Sequence, residues 1–158
     1  LKRTLTEGGI RVPLLARWPG RIAPGTVSQH VGYFGDVFAT LAEVAGTETP
    51  AGLDSISFVP TLLGRGTQQK HEHLYWEFHE GGVSQAVLLE GRWKGIRLQQ
   101  ATAPIRLFDL QHDIGELHDL AAKHPQIVAR IAHVMRSAHV DNEHWRMPPG
   151  WAAPQAQK

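Results

Sequence analysis

The sequence has 158 residues, with 16 Lys plus Arg against 15 Asp plus Glu, ten histidines and no cysteine. That length suffices for one domain with a buried core, and a net charge of +1 gives no electrostatic case for nucleic acid or an anionic membrane surface. Disulfides and thiolate metal sites are excluded, and no apolar run approaches the ~20 residues that span a bilayer; the chain reads as soluble, with its compartment left open because cysteine-free proteins occur on both sides of a membrane.

Taken in order, Glu7-Gly8-Gly9 reads as a loop, since paired glycines allow positive φ and a close backbone approach. Val12 to Ala16 is a short apolar run without outward polar alternation, which predicts a parallel strand covered on both faces, and Pro19-Gly20 ends it. A basic side chain at Lys2, a glycine-rich loop and a buried strand suggest a cationic group at the edge of an α/β sheet. Phe34, Val37, Phe38, Leu41 and Ala45 then recur at helical spacing, with Asp36 placed to cap the N-terminus and Gly46 to stop the helix. A polar loop over Thr47 to Gly52 and a brief buried turn over Phe58 to Leu63 close this first unit. Gly64 to Lys70 is polar and without an apolar anchor, which makes it the best boundary.

Beyond it the period changes. Leu74 to Phe78, Ser84 to Glu90, Arg92 to Leu98 and Ile105 to Leu110 read as four strands of a small antiparallel sheet, with Glu90-Gly91 where a two-residue hairpin needs positive φ. Pro125 to His139 reads as a helix whose stripe of Ile127, Ile131, Val134, Met135 and Ala138 covers one sheet face. From Met147 onward the composition turns to proline, alanine and glutamine, the signature of a flexible tail.

Six motifs then point to one family. Lys2, Thr4, Glu7-Gly8-Gly9, Arg11, Pro13 and Trp18-Pro19-Gly20 closely resemble the late part of the type I sulfatases, arylsulfatase-like members of the alkaline phosphatase superfamily. In the same order, Asp36 to Gly46 resembles that family's next helix, and Leu53 to Leu63 its "DG-S-x-x-P-x-L-L" segment. Leu74 to Phe78 is similar to its subdomain strand, Gln85 to Lys94 to its "QAVR-x-G-x-WK" hairpin, and Leu107 to Leu120 to its "LYDL-x-x-D-P-x-E-x-x-NL" stretch. Six motifs in register over roughly nine tenths of the chain specify far more than any one of them.

The resemblance implies α/β plus α+β architecture: the last strand and helix of an alkaline-phosphatase-like α/β domain, then a small four-stranded antiparallel sheet with a packed C-terminal helix. The corresponding division is 1–66 for the catalytic-domain piece, 67–147 for the subdomain and 148–158 for the tail. It implies hydrolysis of sulfate esters, aryl or carbohydrate, by the intact protein. The family's matching lysine contacts the sulfate group, so Lys2 is the catalytic candidate. A compact ammonium with three donors suits charge developing on sulfuryl and leaving oxygens. His79 and Glu80, in a loop of the kind that reaches the family's cleft rim, are the substrate-binding candidates. The intact enzyme would use formylglycine and calcium. Its nucleophile is made in a "C/S-x-P-S/A-R" motif absent here, and its acidic calcium ligands lie upstream of the position matched by Lys2, so this chain is expected to be inactive by itself and to hold no metal. His71-Glu72-His73 with Glu77 and His79 lacks the HExxH spacing, and a solvated linker and strand entry is the better reading. Two other readings stand beside this one: a stand-alone, non-catalytic binding module, and a portion of a related phosphomonoester or phosphonate hydrolase. An uncovered Val12–Ala16 strand further implies self-association through residues 5 to 45.

Overall fold

A computed structural model describes residues 2–141 and 143–151, so 152–158, most of the expected tail, lie outside the described residues. In chain order the elements are α1 (Glu7–Ile10), α2 (Asp36–Ala45), α3 (Val59–Leu63), β1 (His73–Phe78), β2 (Ser84–Leu89), β3 (Trp93–Arg97), β4 (Arg106–Asp109), a 3-10 turn (Ala121–Lys123) and α4 (Pro125–Ser137). They fall into two compact units, one formed by Val12–Glu72 and the other by residues 1–11 together with 73–158.

The second of these is a four-stranded antiparallel meander in the order β1-β2-β3-β4. Its central strand β2 is buried along its whole length, which explains why its sequence runs apolar instead of alternating. The β2–β3 turn works as its residues predict: Glu90 and Gly91 both have positive φ, 54° and 68°, and the Arg92 N–H donates to the Leu89 carbonyl at 3.0 Å. One sheet face packs Val87, Leu89, Ile105 and Leu107 against Ile131, Val134 and Met135 of α4. The stripe read from the sequence is therefore the packed face of that helix. The opposite face carries Ala86, Ile96 and Phe108, covered by Leu5 with Ile10 at its margin. Leu5 and Ile10 thus bring the N-terminal segment over the sheet as its second lid.

The Val12–Glu72 unit is built around Asp36, whose carboxylate is fully buried. Its oxygens accept the N–H groups of Tyr33 (3.1 Å) and Ile56 (2.8 Å) and contact His71 Nε2 at 2.9 and 3.0 Å. Asp36 is the first residue of α2 and not its cap; the flanking residue is Gly35, and the carboxylate turns outward to hold two other segments. Gly46 does end the helix in the left-handed conformation, φ 71°, as expected. Ser55 bridges the Ala39 N–H and the Gly35 carbonyl, and Thr40 Oγ1 accepts the Phe58 N–H.

Two expectations are corrected. Val12–Ala16 forms no strand, and Val12, Leu14 and Leu15 are exposed. A strand exists through ladder hydrogen bonds to neighbours, and no described strand pairs with this run. Glu7-Gly8-Gly9 is a single helical turn instead of a loop, closed by Gly9 and Ile10 N–H groups on the Thr6 carbonyl at 2.8 and 3.1 Å. Within this chain the compact units meet at Glu72 and His73. Gln68 accepts from the Thr61 N–H and hydroxyl and donates to the Ser57 carbonyl, and His71 is bound to Asp36, so the polar run through Glu72 belongs with α2 and α3.

Candidate functional site

The N-terminal segment is the element that positions Lys2. Leu5 is buried in the sheet face, and beside it Glu7 makes two contacts that no local pattern suggests. Its side chain reaches Lys94 Nζ of β3 at 2.6 Å, and its backbone N–H donates to Glu116 Oε2 at 2.9 Å. Glu116 Oε1 lies 3.1 Å from the same Lys94 Nζ, an ion-pair contact without hydrogen-bond geometry. Lys94 has no solvent exposure, and Glu7 and Glu116 have 13% and 5%. One buried ammonium thus serves two carboxylates, and the single turn of α1 is held at its first residue, Glu7, while Ile10 at its other end packs at the margin of the sheet cluster. Arg11 adds a looser contact to Glu7 at 3.6 Å.

On the other side of Leu5, Arg3 pairs with Glu80 and takes a left-handed conformation, φ 67°, uncommon for a residue with a side chain. Lys2, the catalytic candidate, is exposed and directly precedes this anchored arginine. Glu80 is therefore brought to the neighbour of Lys2, and it is already neutralised by Arg3. His79, the other substrate-binding candidate, turns back: its Nε2 donates to Glu77 Oε2 at 2.9 Å, and its ring lies 4.3 Å from that of Trp145. An open depression of about 370 Å³ lined by Thr6, Gly8, Arg106, Phe108, Ile114, Gly115 and Glu116 lies on the same N-terminal segment and includes none of the three candidates.

Glu77 is the residue that sequence reasoning left without a role. It accepts from Tyr75 OH (2.6 Å), His79 Nε2 (2.9 Å), His139 Nδ1 (2.6 Å) and Trp145 Nε1 (3.1 Å). Burial favours its neutral form, but the four donors outweigh it and keep the carboxyl below its ordinary range. Burial and the bond to Glu77 together push the Tyr75 hydroxyl well above its usual value. Lys94 was likewise legible only as a strand residue. The one available signal was its place on the same strand face as Ile96, and its acidic partners are too distant in sequence to be paired by spacing.

Among the described residues no group of three or more His, Cys, Asp and Glu side chains could hold a metal ion. His71 is committed to Asp36, His79 to Glu77, and Glu72 and His73 are exposed. The donor set of the described residues does not fit calcium, whose six to eight oxygen ligands need several converging carboxylates.

The four-stranded antiparallel sheet with its C-terminal helix has structural neighbours among sulfatases of alkaline-phosphatase-like fold. A 2-O GAG sulfatase superposes with a TM-score of 0.52 at 30% identity, over 60% of this chain and 22% of that one. Ps i-CgsB in complex with k-i-k-neocarrahexaose superposes with a TM-score of 0.69 at 25% identity, over 85% and 29%. The chain belongs to the family described as N-sulphoglucosamine sulphohydrolase, C-terminal, which matches residues 1–141. Among curated proteins, Arylsulfatase A of Bos taurus is 32% identical over 141 residues, covering 75% of this chain and 28% of that protein. Arylsulfatase K of Bos taurus is 30% identical over 145 residues, covering 86% and 27%. The chain thus spans a little over a quarter of the length of these relatives.

Proposed function

We propose that the chain is the C-terminal portion of an enzyme that hydrolyses sulfate esters, aryl or carbohydrate, in which Lys2 contacts the sulfate group and His79 and Glu80 stand at the rim of the substrate cleft. The observation that carries the sulfatase reading is the family match over residues 1–141; the role of Lys2 rests on the resemblance of its own motif, Lys2 to Gly20. In the intact enzyme the Lys2 ammonium would donate to sulfuryl and leaving-group oxygens as charge grows on them. The pairs Arg3–Glu80 and Glu7–Lys94 support this by fixing the backbone on both sides of Leu5. Formylglycine and the acidic ligands of calcium, which the sulfatase relatives imply for the whole enzyme, would be supplied by residues upstream of Lys2. Residues 1–66 would complete that enzyme's α/β domain and 67–147 its antiparallel subdomain. Taken alone, the chain would associate with itself through its uncovered apolar residues.

The test has two arms. The purified 158-residue chain is expected to turn over no generic aryl sulfate, with or without calcium; turnover that survives repurification and vanishes in Lys2→Ala overturns this. Joined to its upstream sequence, the protein is expected to hydrolyse an aryl sulfate and to lose 10²-fold or more of that rate, roughly the loss seen on removing one oxyanion-hole donor, in Lys2→Ala. Preference there for a phosphonate or phosphate monoester would favour the related-hydrolase reading. The phosphonate monoester hydrolase SpPMH from Silicibacter pomeroyi shares the fold at a TM-score of 0.57 and 22% identity.

A further inference from the structure

His139 lies two residues beyond the end of α4, and its side chain is only 5% exposed. Both ring nitrogens contact carboxylates: Nδ1 meets Glu77 Oε1 at 2.6 Å and Nε2 meets Asp141 Oδ1 at 2.7 Å. A carboxylate only accepts, whereas a neutral imidazole has one donor and one acceptor, so the full set of bonds requires the imidazolium. The same carboxylates hold the chain that follows. Asp141 Oδ1 accepts the Met147 N–H at 2.9 Å, and Glu77 Oε2 accepts the Trp145 indole N–H at 3.1 Å.

We infer that His139 is a proton-operated latch, which in its imidazolium form clamps Asp141, Trp145 and Met147 onto β1 through Glu77 and Asp141 and on losing its proton lets those residues leave the strand. This goes beyond the proposed activity and does not rest on it. The groups facing the latch are Tyr75, Glu77 and His79 from β1 and Asp141 and Arg146 from its own segment. Gln85 of β2 binds Tyr75 and the Met135 carbonyl. Arg97 of β3, which feels Arg136 of α4 and Tyr75, completes the surroundings. Burial disfavours the imidazolium, but the bonds to Asp141 and Glu77 outweigh it and hold the imidazole above its ordinary 6.5. A raised value carries the closed state above pH 6.5, with opening as pH climbs through the folded-state value.

Nitrogen NMR of the imidazole and indole groups of the whole 158-residue chain, from about pH 5.5 to about pH 9, tests this. His139 is expected to titrate above 6.5, and the Trp145 indole signal to move with the same midpoint. His139→Gln should abolish that step, and His79→Gln should leave it in place. Asp141→Asn, at a half-exposed position that a folded chain tolerates, should bring the midpoints of His139 and Trp145 down together. A Trp145 signal that ignores the His139 midpoint overturns the latch. So does a step that survives His139→Gln, or one that disappears only in His79→Gln.

Discussion

Lys94 shows how much one side chain holds. Its ammonium has no solvent exposure and lies within 2.6 and 3.1 Å of two carboxylates, so truncating it strands both acids in a low-dielectric site. Lys94→Ala is expected to destabilise the chain by about 3–5 kcal/mol, the range for breaking a buried pair from one side, and to free α1. Urea unfolding checks the first effect, and a loss of less than about 1 kcal/mol would show that water already reaches the carboxylates. Asp109 makes the fold's stability depend on pH. The bidentate Arg92 bond at 2.9 and 2.7 Å, against burial and with help from His112 and the Gln111 N–H, holds this carboxyl well below its ordinary 3.8. A depressed value means that its stabilisation is complete above about pH 4 and is lost as the pH falls through the folded-state value. Asp109→Asn should therefore cost about 2 kcal/mol at neutral pH and make unfolding between about pH 4 and pH 2 less steep. Unfolding midpoints measured for both proteins across that window decide it.

Among elements, the contact between α4 and β3 depends on Gly95. A Cβ built there would stand 2.5 Å from Ile131 Cγ2 and 3.2 Å from Ile105 Cγ2, and Ile131 is fully buried in the same cluster. Gly95→Ala should lower stability by about 1–3 kcal/mol through overpacking, and Ile131→Ala, which removes the Cγ2 that the new methyl meets, should cost less in that chain than in the unaltered one; thermal melts of the single and double variants check both. The sheet and its helix were legible in the sequence because period-2 runs, the Glu90-Gly91 turn and the Ile127–Ala138 stripe are local signals that packing then obeyed. Val12–Ala16 was misread for the complementary reason: its composition describes a strand, but strand formation needs neighbours that no described element supplies. Of the candidate site, Lys2, His79 and Glu80 came from family motifs. The bonds that fix their surroundings, Glu7 to Lys94, Arg3 to Glu80 and Glu77 to His139, join residues 62 to 87 positions apart, beyond the reach of spacing or periodicity.

For the whole molecule, the first consequence is an uncovered apolar surface. Val12, Leu15 and Phe34 are 78%, 89% and 89% exposed, with Leu14, Val27, Phe38 and Leu41 also open. Leu5 is buried in the sheet, so the surface begins at Val12. Removing a few hundred Å² of it from water contributes several kcal/mol at ~25 cal/mol per Å², which offsets part of the association cost. Light scattering at micromolar concentration is expected to find dimers or larger species, and a clean monomer resistant to protease across Val12 to Gly46 would contradict this. The second consequence lies in the connectivity of the two units. Because residues 1–11 belong with the sheet while the Val12–Glu72 unit intervenes in sequence, the Glu7–Lys94 bond closes a loop of tens of residues. Closing a loop of that size costs about 3–4 kcal/mol of chain entropy, yet the tether also presents the segment to its sheet at an effective concentration of order millimolar. The segment bearing Lys2 is thus a ligand of its own chain. A single backbone cut between residues 12 and 28, ahead of the contacts that join Tyr33 and Asp36 to Ile56 and His71, breaks no bond in the sheet, but it removes the tether from that ligand, whose occupancy then depends on dilution.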